Sequence, residues 1–217
     1  MNLPALLSIL GLACYSGLFH IVVTAPRSTR VRVRRLFLGT LIAMIGMQAT
    51  ALVVSLAQRE AVALAAYMAL SAVFLVFGIT YVIFVRTLLR IQDGEGLFLG
   101  SIVLSIGMLI LVGVAPTRVI EGVYWNETTH FYLPQFGILM PVVGIPYFLI
   151  LGYVAVLLVQ GYRNARHALT RHRIQYLLIG WCVLVAGTLA NFVPLLKSYP
   201  IDLMANVVNA VLIAAAI

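Results

Sequence analysis

Five apolar segments of this chain each carry a neutral amide or phenol: Gln48, Tyr67, Tyr147, Asn191, and the pair Asn206 and Asn209. At 1.5 Å rise per residue, all six fall roughly 5–14 Å in from the same end of their segments. Inside hydrocarbon such groups need partners, because no water is there to satisfy them. Asn206 and Asn209 are three residues apart and share one helix face. Their chemistry is hydrogen bonding, without a nucleophile or an ionisable group. Two readings follow. The layer is interhelical glue, at about 0.6 kcal/mol per side-chain bond, or it lines a pocket for a small, neutral, partly apolar ligand. The one long connection at that end, "PTRVIEGVYWNETTHFYLPQFG" at 116–137, adds Trp125 and His130 to the candidate ligand contacts. It reads either as an interfacial aromatic belt or as a lid. Its "NET" at 126–128 fits a glycosylation sequon, a triplet that also arises by chance.

Catalytic chemistry finds no footing. There is no HExxH helix and no G-x-S-x-G elbow. Among the four histidines only His20 lies in an apolar segment, so paired axial ligands for haem are missing. Cys14 and Cys182 both sit in apolar runs and read as small packing residues. A retinal Schiff base needs a lysine in the seventh segment; the only lysine, Lys197, precedes it. No catalytic residue, metal site or cofactor is expected.

These groups must be positioned by membrane helices. Hydrophobic residues make up 63% of the 217, and charged residues 9%, against about 25% in a soluble domain. The apolar runs are continuous, which excludes the alternation of a membrane β-barrel. The fold class is all-α: a polytopic bundle of seven helices at about 3–25, 36–57, 61–85, 97–115, 138–160, 176–196 and 203–217. The net charge of +8 comes from thirteen arginines and one lysine. Eleven of these basic residues fall in connections on one side, including Arg34, Arg86, Arg90 and Arg173; Arg59, Arg118 and Lys197 fall on the other. That asymmetry reads as cytoplasmic loops rather than nucleic-acid binding, and places the N-terminus outside and the C-terminus in the cytoplasm. None of the acidic or basic residues falls within these spans, which counts against a charge-driven transporter. Pro141, Pro146 and Pro194 read as kinks near the outer ends of the fifth and sixth segments. Alanines spaced by four, at 61, 65 and 69 and again at 210 and 214 after Asn206, read as helix-packing faces.

The last third, "RHRIQYLLIGWCVLVAGTLANFVPLL" followed by "YPIDLMANVVNAVLIAAAI", resembles the N-terminal seven-helix sensor region of bacterial histidine kinases. The matching positions are Arg173, Gln175, Tyr176, Asn191, Pro194, Tyr199, Pro200, Asn206 and Ala210. The resemblance implies a sensory module whose seventh helix continues into a cytoplasmic kinase or diguanylate cyclase domain. The seventh segment agrees in one respect: its 15 residues span about 22 Å, short of the roughly 30 Å of a hydrocarbon core. A longer parent chain is therefore expected.

The expected function is transmembrane signalling in a bacterial inner membrane. A small neutral or lipophilic ligand would be detected outside and relayed through the seventh helix to an output domain in cis. Membrane lipid is a partner, and a homodimer through the seventh helix is a weaker expectation. The rival is a small-solute carrier. Against it, the inner halves of several segments are nearly all apolar, as in "VLLVQ" and "VLIAAAI".

Overall fold

The computed structural model describes residues 2–25, 31–91, 94–127, 130–193, 196 and 199–216. Six helices are long and apolar enough to cross a membrane: α1 (Leu3–Thr24), α2 (Val31–Leu56), α3 (Glu60–Leu89), α4 (Glu95–Val114), α6 (Met140–Asn164) and α7 (Ala168–Ala190). Between α4 and α6 lie a single turn, α5 (Pro116–Val119), and two strands, β1 (Ile120–Asn126) and β2 (Phe131–Phe136). A shorter apolar helix, α8 (Ile201–Ala216), follows α7. The seven expected segments thus correspond to six long helices and α8.

The helices alternate in direction and close into a ring. α1 packs on α2 and on α8, α2 on α3, α3 on α6, α6 on α7, and α7 on α8. α4 stands outside the ring against α3 and α6. Only Ser101, Ser105, Met108 and Val112 of α4 are buried, while Leu97, Val103, Ile110 and Val114 face outward. Apolar side chains on an outer face are what a lipid surround requires.

Several helix boundaries differ from the sequence expectation, each for a local reason. α2 begins at Val31 and so includes Arg32, Arg34 and Arg35. α3 runs 30 residues, about 45 Å at 1.5 Å per residue, and its ends must project beyond the hydrocarbon. Arg86, expected in a loop, lies in its last turns, donating to the Gly94 carbonyl at 3.3 Å with its guanidinium 4.5 Å from the Phe98 ring centre. Pro141 sits in the first turn of α6, where no intrahelical bond is lost; only Pro146 lies inside the helix. α7 ends at Ala190 with Asn191 as its cap, and Pro194 lies outside the described residues. The alanine face expected on α3 is turned outward, since Ala61, Ala65 and Ala69 are exposed while Ala63 and Ala66 are buried.

One close seam lies between α7 and α8, and glycine makes it. A β-carbon at Gly187 would collide with that of Ala205, and one at Gly180 would lie 2.6 Å from the Asn209 side chain. Of the small-residue face on α8, Asn206 and Ala210 are buried and Ala214 is exposed.

Among the described residues the one β element is the antiparallel hairpin β1–β2, within the 116–137 connection. β1 carries Ile120, Val123, Tyr124 and Trp125, and β2 carries Phe131, Tyr132 and Phe136, types that suit a pleated, half-buried surface. Phe131 and Leu133 pack with Val54 of α2 and Ala66 of α3. The base of the hairpin is tight: the Gly137 N–H donates to Val119 O at 2.9 Å, and a side chain at Gly137 would run into the Arg118 carbonyl. Asn2 ties the chain's start to this end. Its side chain caps α1 at Ala5 N, 3.0 Å, and donates to the carbonyls of Ser55, 2.9 Å, and His130, 3.1 Å.

Candidate functional site

Beneath the hairpin lies a cavity of about 520 Å³, within the range of small-molecule sites. α2 contributes Met47, Gln48 and Ser55; α3 contributes Tyr67, Leu70, Ser71 and Phe74. Thr188, Asn191 and Phe192 enter from the end of α7, and Tyr199, Asp202, Leu203 and Asn206 from the start of α8. The hairpin covers it with Tyr124, Phe131, Leu133 and Phe136.

Local hydrogen bonds determine what this wall can offer. The Tyr67 hydroxyl donates to Tyr132 O at 2.8 Å and so pins the hairpin to α3. Ser55 donates to Ala51 O at 2.8 Å, Ser71 to Tyr67 O at 3.0 Å, and Thr188 to Leu184 O at 2.9 Å. Each is a side-chain bond back to the preceding helical turn, a local alternative to water for a hydroxyl. The Asn206 amide donates to the Asp202 carbonyl at 2.8 Å. The Asn191 side chain and the Leu203 backbone N–H come within hydrogen-bonding range of the Asp202 carboxylate. Gln48 is 1% exposed, and its Oε1 faces Gly11 of α1 without a partner among the described residues.

The structure brings four of the eight sequence candidates to the cavity wall: Gln48, Tyr67, Asn191 and Asn206. Tyr147 lies one layer away. Its hydroxyl donates to Phe74 O at 3.2 Å, its ring is 4.6 Å from that of Phe74, and Gly78 leaves it room. Asn209 is a turn deeper than Asn206 and donates to the Tyr15 hydroxyl at 3.1 Å, while Tyr15 donates to Asn206 O at 2.9 Å. That pair therefore joins α1 to α8. Trp125 and His130 are on the hairpin but not on the wall. Trp125 is 42% exposed and edge-on to Tyr132, and His130 makes the turn at φ 53°.

Composition alone missed Asp202, Phe192 and Tyr199. From the sequence, Asp202 lies just before the seventh segment, where a charge reads as solvated. In the structure it sits in the first turn of α8, half-buried. The readable signal was the short "YPID" turn placed just after Asn191.

A layer of aromatic side chains lies between this cavity and the opposite end of the bundle. Tyr81 and Trp181 stack at 4.4 Å with an interplanar angle of 4°, and Phe77 packs on both. The Trp181 ring N–H donates to Leu151 O at 3.0 Å. Beyond this layer is a second, larger space of about 1480 Å³, lined by Arg34, Arg90, Arg173 and the far end of α8 at Ile213 and Ala216.

No protein-family model matches this chain, and none of the curated proteins compared with it shows a match.

Proposed function

We propose that this chain is the transmembrane sensory module of a bacterial signalling protein, in the cell membrane, with the hairpin end outside and the arginine end in the cytoplasm. The observation that carries the reading is the placement of α8. Its first turns form one wall of the hairpin-end cavity at Asp202, Leu203 and Asn206, and its last turns border the arginine-lined space at Ile213 and Ala216. A ligand that favours one arrangement of α7 and α8 would shift their equilibrium by its difference in affinity for the two arrangements. α8 would deliver that shift to a cytoplasmic kinase or cyclase domain in cis. The orientation rests on the arginines, which belong on the cytoplasmic side.

The test is a fusion of the chain to a cytoplasmic kinase reporter, with membrane levels followed by immunoblot. Replacing Asn191 and Asn206 together by leucine should change reporter output at least about fivefold, which corresponds to about 1 kcal/mol of altered bias. Unchanged output at equal protein level would sink the sensor reading. Orientation is checked separately, in a chain with Cys14 and Cys182 replaced by serine. A cysteine at Glu127 should react with a membrane-impermeant maleimide in intact cells, and one at Arg166 only after permeabilisation.

One observation favours a carrier as the second reading. The bundle holds a cavity at each end with the Tyr81–Trp181 layer between them. Solute uptake into proteoliposomes, abolished by substitution of that layer, would move the carrier ahead of the sensor.

A further inference from the structure

We infer that the hairpin-end cavity selects a positively charged amine carried on a small apolar body. This deepens the sensor reading and rests on it for the site, but not for the relay. The first observation is the state of the wall's donors. The hydroxyl protons of Ser55, Tyr67, Ser71 and Thr188 are all committed to backbone carbonyls, and the Asn206 amide to another. What these hydroxyls still present is oxygen lone pairs, and the Asn206 amide keeps a second N–H. The hydroxyl oxygens of Ser55, Tyr67, Ser71 and Thr188 therefore suit a ligand that donates, beside the side-chain amides of Gln48, Gln135 and Asn191 on the same wall.

The second observation is charge. Asp202 is the only charged side chain among the described lining residues, and none of them is lysine, arginine or histidine. Salt bridges to Asp202 are absent among the described residues. Asp202 is half-buried, and a carboxylate drawn partly out of water is stabilised by a cation or several donors facing it. Here only the Asn191 side chain and backbone N–H groups approach. A ligand ammonium group would complete the set.

The third observation is the rest of the surface. Phe74, Tyr124, Phe131, Phe136, Phe192 and Tyr199 all line the cavity. Phe136 and Phe192 stack at 5.5 Å with an interplanar angle of 14°. Ring faces attract cations as well as apolar groups. An anion would meet a carboxylate and ring faces, both repulsive. A neutral solute would bring no charge to offset that of the carboxylate.

The experiment uses the whole chain in nanodiscs of zwitterionic lipid and two probes of matched shape, 2-phenylethylammonium and 2-phenylethanol. Binding is read as a saturable rise in melting temperature. The ammonium probe should bind at least tenfold more tightly than the alcohol. Asp202→Asn should reduce ammonium binding tenfold or more and leave the alcohol unchanged. A second variant guards against loss of folding: Gln135 is exposed on the hairpin and borders the cavity, so Gln135→Lys should fold and repel the ammonium selectively. Lys197 lies outside the described residues. Lys197→Gln should change ammonium affinity by less than about threefold, and a tenfold gain would identify it as an internal counter-ion and overturn the inference. Equal binding of both probes overturns the charge selection and leaves a neutral-ligand pocket standing. No binding of either overturns the inference outright, and the kinase-reporter response to the asparagine substitutions then judges the sensor reading alone.

Discussion

The two ends of the bundle enclose space in different ways. At the hairpin end the cavity is about 520 Å³, roofed by two strands, walled by rings and hydroxyl oxygens, and carries one carboxylate. At the other end the space is about 1480 Å³, walled mostly by aliphatic side chains with Phe37, Phe84, Tyr153, Gln160, Asn164 and Thr170 among them, and carries three arginines with no acidic residue among its described lining. The proposed orientation would by itself account for the arginine end, because cytoplasmic helix ends collect basic residues and anionic headgroups attract them. No such general rule supplies a covered aromatic chamber with a carboxylate in its wall. The difference shows where a functional reading has something to explain.

The sharpest way to break the comparison is to remove the partition. Trp181 is 1% exposed, stacks on Tyr81 and bonds to Leu151 O. Trp181→Ala should cost about 3–5 kcal/mol, the range for emptying a buried aromatic site. Thermal unfolding in detergent, followed by near-ultraviolet circular dichroism, checks it. A melting temperature within a degree or two of the parent would mean that this layer does not separate two packed regions.

The second prediction acts on the hairpin end alone. At Gly137 a methyl group would meet the Arg118 carbonyl, which is backbone and cannot swing aside. Gly137→Ala should therefore loosen the hairpin by about 1–3 kcal/mol, the usual cost of overpacking. Amide hydrogen exchange should accelerate through residues 120–136 and stay unchanged in α4 and at the start of α7. Uniform acceleration over the whole chain would show that the two ends do not behave as separate regions.

Much of this asymmetry was legible in the sequence. Continuous apolar runs gave the helix order, and arginine placement distinguished the ends. Depth counting found Gln48, Tyr67, Asn191 and Asn206, since rise per residue fixes depth in a straight helix. Depth does not fix the direction in which a side chain points. Tyr147 and Asn209 therefore looked equivalent to the other four, yet they join helices away from the cavity. The hairpin was missed because its valines and aromatics also suit a membrane interface. Its pairing depends on docking against Val54 and Ala66, which are far away in sequence. Asp202 was missed because a charge at a helix start reads as solvated until tertiary structure places Asn191 and Tyr67 beside it.

A third, smaller change tests the link between α1 and α8. Tyr15 is fully buried, donates to Asn206 O and accepts from Asn209. Tyr15→Phe keeps the ring and removes both bonds. The expected loss is about 1 kcal/mol, from two interhelical bonds at a mean of about 0.6 each. Double-mutant cycles with Asn209→Leu measure it. A coupling of zero would remove this bond from the set that positions α8 beside the cavity.

The smallest expected effect has the opposite sign and lies at the arginine end. Arg90 caps α3 in the left-handed region, φ 55° and ψ 36°, and its N–H reaches the Arg86 and Thr87 carbonyls. That conformation costs a residue with a β-carbon roughly 1–2 kcal/mol. Glycine avoids the cost but loses about 0.5–1 kcal/mol through the greater freedom of its unfolded chain. Arg90→Gly should thus stabilise the bundle by a net of about 0.5–1 kcal/mol, seen as a small rise in melting temperature. The same change removes one of three guanidinium groups bordering the large space. Preference for anionic over zwitterionic lipid should weaken by about 1 kcal/mol, the worth of one basic residue at such a surface. Higher stability with weaker lipid preference would separate the backbone role of this residue from its charge. Ammonium binding at the hairpin end should not move. If it did, the two ends would be coupled through more than the Tyr81–Trp181 layer, and the proposed relay would have to begin at the arginines as well as at Asp202.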